Sequence, residues 1–119
     1  MENLPPEAML EVAAYFQALS EPTRLRILNF LRGGERNVGE LAQACGSTAA
    51  NVSRHLALLT KHGLVERESR GTSVYYRIAD DSIYALCDLV CGNITRQMDH
   101  MTEKRQAFAR GAGLPARRR

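Results

Sequence analysis

The sequence predicts a mainly α domain with a small β-hairpin, in the order four helices, hairpin, long fifth helix. Three observations carry the prediction. Apolar residues recur at helical spacing through most of the chain. Glycines and capping residues divide these stretches at short intervals. Residues 64–78 alone are rich in β-branched and aromatic types around a glycine-bearing turn.

The first helix is expected from about Pro5 to Leu19, since prolines are tolerated where the first N–H groups lack partners anyway. Met9, Val12, Phe16 and Leu19 form its stripe. Ser20 restarts the chain, with Glu21 and Pro22 in the first turn of a second helix. Leu25, Ile27, Leu28 and Leu31 supply that helix's apolar face, and Gly33-Gly34 stops it. Arg24, Arg26 and Arg32 read as a solvated face. Asn37 and Glu40 have the spacing of a capping box for a short third helix that ends at Cys45 and Gly46. Ser47 is the expected cap of the next helix. The two helices are thus joined by a tight glycine-containing turn, as a helix-turn-helix requires.

The fourth helix, about Thr48 to His62, aligns Ala49, Val52, Leu56 and Leu59 on one face. The other side carries Ala50, Asn51, Ser53, Arg54, Ala57 and Lys61. A helix entering a major groove needs such a face: small residues for close approach, hydrogen-bonding groups for base edges. Leu64–Glu68 and Ser73–Ile78 read as hairpin strands, with Ser69-Arg70-Gly71-Thr72 as the turn and Arg70 at its tip. This makes a wing. Thr48, Asn51, Ser53 and Arg54 are expected in the groove, and Lys61, Arg67 and Arg70 on the phosphate backbone.

Asp80 or Asp81 is expected to cap the last helix, from Ser82 to Arg105 or beyond. Ile83, Leu86, Cys87, Val90, Cys91, Ile94, Met98 and Met101 fall on one narrow stripe. A seam sustained for about five turns suits packing against a partner helix. The domain is expected to span 1–108 and to be followed by a basic, disordered tail at 109–119.

With 119 residues the chain fits one domain, and 45% apolar residues suffice for a core. A second copy would bury more of so small a domain. The net charge of +3 permits nucleic-acid binding without requiring it. No apolar run reaches the roughly 18 residues of a membrane span, and the N-terminus lacks the pattern of a signal peptide, so no membrane association and a cytoplasmic location are expected. Three cysteines, Cys45, Cys87 and Cys91, argue against a disulfide framework. An enzyme is not expected: there is no Cys-His pair with an orienting group, no glycine-rich phosphate loop and no acid cluster beside a histidine.

Five segments, in order and at the right spacing, make the chain resemble the ArsR/SmtB family of metal- and stress-sensing repressors. They are ALSEPTRLRIL at Ala18–Leu28, VGELA at Val38–Ala42, NVSRHLALL at Asn51–Leu59, GLV at Gly63–Val65 and GTSVYYRI at Gly71–Ile78. The resemblance implies a winged helix-turn-helix homodimer built on the first and last helices. It also implies two recognition helices reading an inverted repeat in duplex operator DNA, and an inducer that releases them.

Two metal sites common in that family are altered here. The Cys-x-Cys-x-x-Cys run at the third helix reads Asn37, Gly39 and Ala42. On the last helix Asp80 survives, but Ser82, Asn93 and Arg96 stand in the other ligand positions. No cofactor is expected for folding. Cys87 and Cys91, four apart, project from one helical face, and two thiolates at that spacing chelate a soft ion. Arsenite or antimonite is the favoured inducer, with a third donor from the symmetric partner or, less readily, Cys45. The same pair would serve a redox or reactive-sulfur sensor, and simple packing of small apolar side chains is the plain alternative. A DNA-binder with no inducer would keep the wing and lose any thiol dependence. His55 is expected to pack or bond a phosphate, His62 to complement a helix end, and His100 to be exposed.

Overall fold

A computed structural model describes residues 1–112. The elements are α1 (Pro6–Ala18), α2 (Pro22–Leu31), β1 (Arg36–Asn37), α3 (Val38–Cys45), α4 (Ala49–Lys61), β2 (Val65–Arg70), β3 (Ser73–Ile78) and α5 (Ser82–Gly111). The expected order holds, with one strand added. The chain divides into two units, Met1–Asp80 and the α5 segment from Asp81 onward.

In the first unit, α1 begins on Pro5-Pro6 without a side-chain cap. Glu21, rather than Ser20, caps α2, its carboxylate accepting from the Arg24 backbone N–H at 3.0 Å. The Ser20 hydroxyl instead donates back to the Gln17 carbonyl at 2.7 Å. The capping box of α3 is complete: Glu40 N–H donates to Asn37 Oδ1 (2.8 Å) and Asn37 N–H to Glu40 Oε1 (3.1 Å). Gly46 closes α3 at φ 63°, a left-handed conformation that a Cβ would strain. The turn to α4 is Gly46-Ser47-Thr48, and the N-cap is Thr48, one residue beyond the expected Ser47. Thr48 Oγ1 accepts from Asn51 N–H at 3.1 Å.

The hairpin pairs β2 and β3 antiparallel from Val65↔Ile78 to Arg70↔Ser73. Only Gly71 and Thr72 form the turn, so Arg70 ends a strand instead of standing at the tip. Arg36↔Tyr76 and Asn37↔Tyr75 add β1 to the other side of β3, giving the order β1-β3-β2.

The core of this unit comes from Ile27, Leu28 and Leu31 of α2, Leu41 and Ala42 of α3, Val52, Leu56 and Leu59 of α4, and Leu64, Val65 and Tyr76. Burying each large aliphatic side chain stabilises by about 1.5–3 kcal/mol. Ala49, expected on the buried face of α4, is exposed because it lies in the first turn, beyond the helices that cover Val52.

The second unit is α5, 30 residues and, at 1.5 Å per residue, about 45 Å long. Asp81 occupies its N-cap position, but its side chain makes no capping bond. Ile83 is buried and Leu86 and Cys87 are half-buried, whereas Val90, Ile94, Met98 and Met101 are exposed. Ala109 to Gly111, placed by the sequence in the tail, belong to this helix, and residues 113–119 of that tail lie outside the described residues.

Candidate nucleic-acid interface

The inner face of α4 fixes its outer one. With Val52, Leu56 and Leu59 fully buried, the opposite side must face water. There lie the exposed Ala49, Ala50, Ser53, Arg54, Ala57 and Lys61. Asn51 sits half-buried at the edge of that face, where its amide is held at both ends. Nδ2 donates to Ser47 Oγ at 2.8 Å, and Oδ1 accepts from an Arg54 guanidinium N–H at 2.5 Å. A row Ser47–Asn51–Arg54 therefore runs along the start of the helix. The amide keeps one N–H and one lone pair, and the guanidinium most of its five donors, for other partners. Bidentate amide and guanidinium groups are the types that read adenine and guanine edges in a major groove. Ser47 was expected only as a cap. A polar residue four positions before an asparagine at a helix start was the available signal for its second role.

Thr48, Asn51, Ser53 and Arg54 are thus brought together at the N-terminal half of α4. Lys61 lies in its last turn. Neither Arg54 nor Lys61 forms an ion pair with a described residue.

The wing is arranged differently. Glu66, Glu68 and Arg70 alternate onto one face of β2, and Arg77 lies opposite Glu66. Arg70 donates twice to Glu35, in the turn before β1, one of the two bonds at 2.9 Å, and once to Glu68 at 2.8 Å. Its guanidinium also lies 4.9 Å from the centre of the Tyr75 ring. Arg77 bonds Glu66 and Glu68, each at 3.0 Å. Its hydrogen bonds to Glu35, then to Glu68, hold Arg70 still more firmly protonated than usual. The hydrogen bond from Arg70 and its charge, with a lesser contribution from Arg77, hold the Glu68 carboxyl below the usual range against the opposing effect of desolvation. Arg67 points to the other face of β2, opposite Tyr76, is exposed, and has no ion pair with a described residue. Arg70, expected on the phosphate backbone, thus commits three of its five guanidinium N–H donors to Glu35 and Glu68.

The thiols differ sharply. Cys45 is buried at the end of α3, where burial raises its pKa and nearby Arg26 only partly opposes this. Its carbonyl accepts from Arg26 NH1 at 3.3 Å, so Arg26 is anchored and not simply solvated. Cys87 is half-buried and Cys91 exposed on α5, and none of the three is in a disulfide. Among the described residues of one chain no three His, Cys, Asp or Glu side chains gather into a metal site. Nor is any described helix long and apolar enough to cross a membrane.

Residues 19–68 match a family model described as a helix-turn-helix domain. The chain is similar to the HTH-type transcriptional regulator NmtR of Mycobacterium tuberculosis, 39% identical over 85 residues that cover 71% of each protein. It is also similar to the solution structure of a homodimeric winged helix-turn-helix DNA-binding domain, Mb0332 of Mycobacterium bovis, described as a possible ArsR-family transcriptional regulator. That likeness has 36% identity and a TM-score of 0.69, covering 84% of this chain and 95% of that one. The crystal structure of AntR, an antimony-specific transcriptional repressor, matches with 28% identity and a TM-score of 0.69 over 82% of this chain and 88% of its own.

Proposed function

The chain belongs to the ArsR/SmtB family of winged helix-turn-helix transcriptional repressors, DNA-binding regulators and not enzymes, and from that premise we propose that it grips an inverted-repeat operator as a homodimer and lets go when a thiophilic ion binds Cys87 and Cys91. The observation that carries the DNA reading is the outer face of α4, where an oriented Asn51–Arg54 pair stands among exposed alanines above a wholly buried inner face. Thr48, Asn51, Ser53 and Arg54 enter the groove, and Lys61 and Arg67 hold phosphates. Arg70 serves first to fasten the wing, where a phosphate would compete with Glu35 and Glu68 for its charge.

Pairing through α1 and α5 is supported by what each helix leaves in water. On α1 these are Met9, Leu10 and Phe16; on α5, Val90, Ile94, Met98 and Met101. So much apolar surface on a small chain marks an interface. A twofold axis would set two copies of α4 about 34 Å apart, one helical turn of DNA.

The inducer reading rests on donor chemistry. Two thiols one turn apart on α5 suit a soft, three-coordinate ion such as arsenite or antimonite, and one chain lacks the third donor. A cysteine of the second copy would complete the set. Buried Cys45 fits packing better. The ion must favour a dimer whose recognition helices no longer match successive grooves, a coupling of about 1–3 kcal/mol. Titrating a labelled operator complex with arsenite, antimonite, zinc and polysulfide tests this. Release by the metalloids that is lost in the Cys87→Ser/Cys91→Ser double variant is expected, and release that persists unchanged in that variant would reject the site. Release by polysulfide alone would favour a reactive-sulfur sensor built on the same pair, a reading supported by the exposure of Cys91.

A further inference from the structure

One arginine cluster in the first unit has no part in the interface just described. Arg24 stands in the first turn of α2. Its Nε donates to the Ala18 carbonyl at 2.6 Å and its NH2 to the Gln17 carbonyl at 3.2 Å, the last carbonyls of α1. The remaining nitrogen, NH1, lies 3.3 Å from Nδ1 of His55, in the middle of α4. On the other side of the imidazole, Nε2 is 3.8 Å from Oε2 of Glu21, the carboxylate that caps α2. A guanidinium has only donors, so in a bond with Arg24 Nδ1 is the accepting atom, while Nε2 faces Glu21. No other charged group pairs with the ring among the described residues. Arg24 and His55 are half-buried, and Ala18 is fully buried.

One planar cation therefore joins the end of α1 to the recognition helix. The C-terminal carbonyls of a helix lack intrahelical partners and carry partial negative charge, so a cation there is doubly favoured. The fork fixes three acceptors in one plane, which a flexible ammonium does not do. His55 is next to Arg54 and one turn from Asn51, so a displacement of His55 is a displacement of the groups proposed to read bases. We propose that Arg24 is a positioning residue for operator recognition, fixing through His55 the pose of α4 relative to the end of α1. The inference rests on reading α4 as the groove helix and α1 as part of the two-chain interface.

The test uses the full chain and a duplex that the wild-type chain enriches from a randomised library, with an unselected duplex as control. Arg24→Ala, His55→Ala and the double variant are compared for affinity to both duplexes, and sedimentation reports the assembly state. Each single variant is expected to lose about tenfold in affinity for the enriched duplex, within the range of typical couplings. The unselected duplex should be bound as before, and the double variant no worse than the weaker single. Losses that add, or that fall equally on both duplexes, would overturn the proposal. Should Arg24→Ala fail to fold, His55→Gln and Arg24→Lys decide the matter. Glutamine keeps an acceptor for Arg24 and should bind within about twofold of wild type. The three donors of a lysine ammonium diverge from one point, cannot match acceptors spread around a planar fork, and should not restore binding. A wild-type chain that enriches no duplex sinks the DNA reading and the clamp together; a wild-type dimer that binds, with Arg24 variants binding equally well, sinks the clamp alone.

Discussion

The recognition helix and the wing both carry arginines, and they dispose of them oppositely. On α4, Arg54 bonds a neutral amide, and Lys61 meets no described acid. In the hairpin, Arg70 and Arg77 are bound by Glu35, Glu66 and Glu68, which leaves Arg67 as the cation without such a partner. The number of arginines in a DNA-binding segment is therefore a poor guide to the number of phosphates it neutralises. Only unpaired cations release counterions without first giving up a carboxylate, and it is those that set the salt dependence of binding.

The contrast can be broken most severely at Arg54. Arg54→Ala is expected to cost about 1–3 kcal/mol in affinity for a selected operator while leaving binding to unselected duplex nearly intact. Equal affinity at physiological salt would remove α4 from the groove. Next come Lys61→Ala and Arg67→Ala. Each should weaken binding to both duplexes alike and lower the slope of log affinity against log salt by about 1. Arg70→Ala sharpens the comparison by doing less: its salt slope should stay near that of wild type, and hydrogen exchange at the tip of the hairpin should quicken instead. A slope that falls as far as it does for Lys61→Ala would mean that Arg70 trades its carboxylates for phosphate on binding. The smallest effect is in pH. Because the Glu68 carboxyl is held low mainly by its bond from Arg70, the network is intact above the ordinary carboxylate range and loosens as pH falls through Glu68's lowered value. The protection of β2 and β3 amides, taken relative to the intrinsic exchange rate at each pH, should then fall in acid, and this acid step should vanish in Arg70→Ala.

What could be read beforehand follows the range of the interactions. The α3 cap was legible because Asn37 and Glu40 are three residues apart, and so was the end of α3 at Gly46. The cap of α4 was misplaced by one, since Ser47 and Thr48 are both competent and only the geometry of Asn51 N–H chooses between them. The strand β1 was invisible: two residues have no periodicity, and their partners Tyr75 and Tyr76 lie far along the chain. The binding of Arg70 by Glu35 spans 35 residues, and nothing local announced it. Arg24 and Arg26 were read as a solvated face because exposure is the usual state of arginine on a helix. Both instead reach backbone carbonyls of neighbouring elements. The fold was thus largely readable, along with the composition of the outer face of α4, but not which cations are already taken.

The strand order β1-β3-β2 also bears on how copies of this chain behave at high concentration. Placing β3 in the centre leaves β2 as the long outer strand. An outer strand with unsatisfied main-chain groups invites another strand to lie alongside it, and apolar edges seed fibrils in this way. Here the sequence Glu66-Arg67-Glu68-Ser69-Arg70 puts charge on both faces of that strand, so an incoming identical segment would meet a dense field of carboxylates and guanidiniums. The ion pairs that occupy the wing's arginines thereby keep its rim inhospitable to neighbouring sheets.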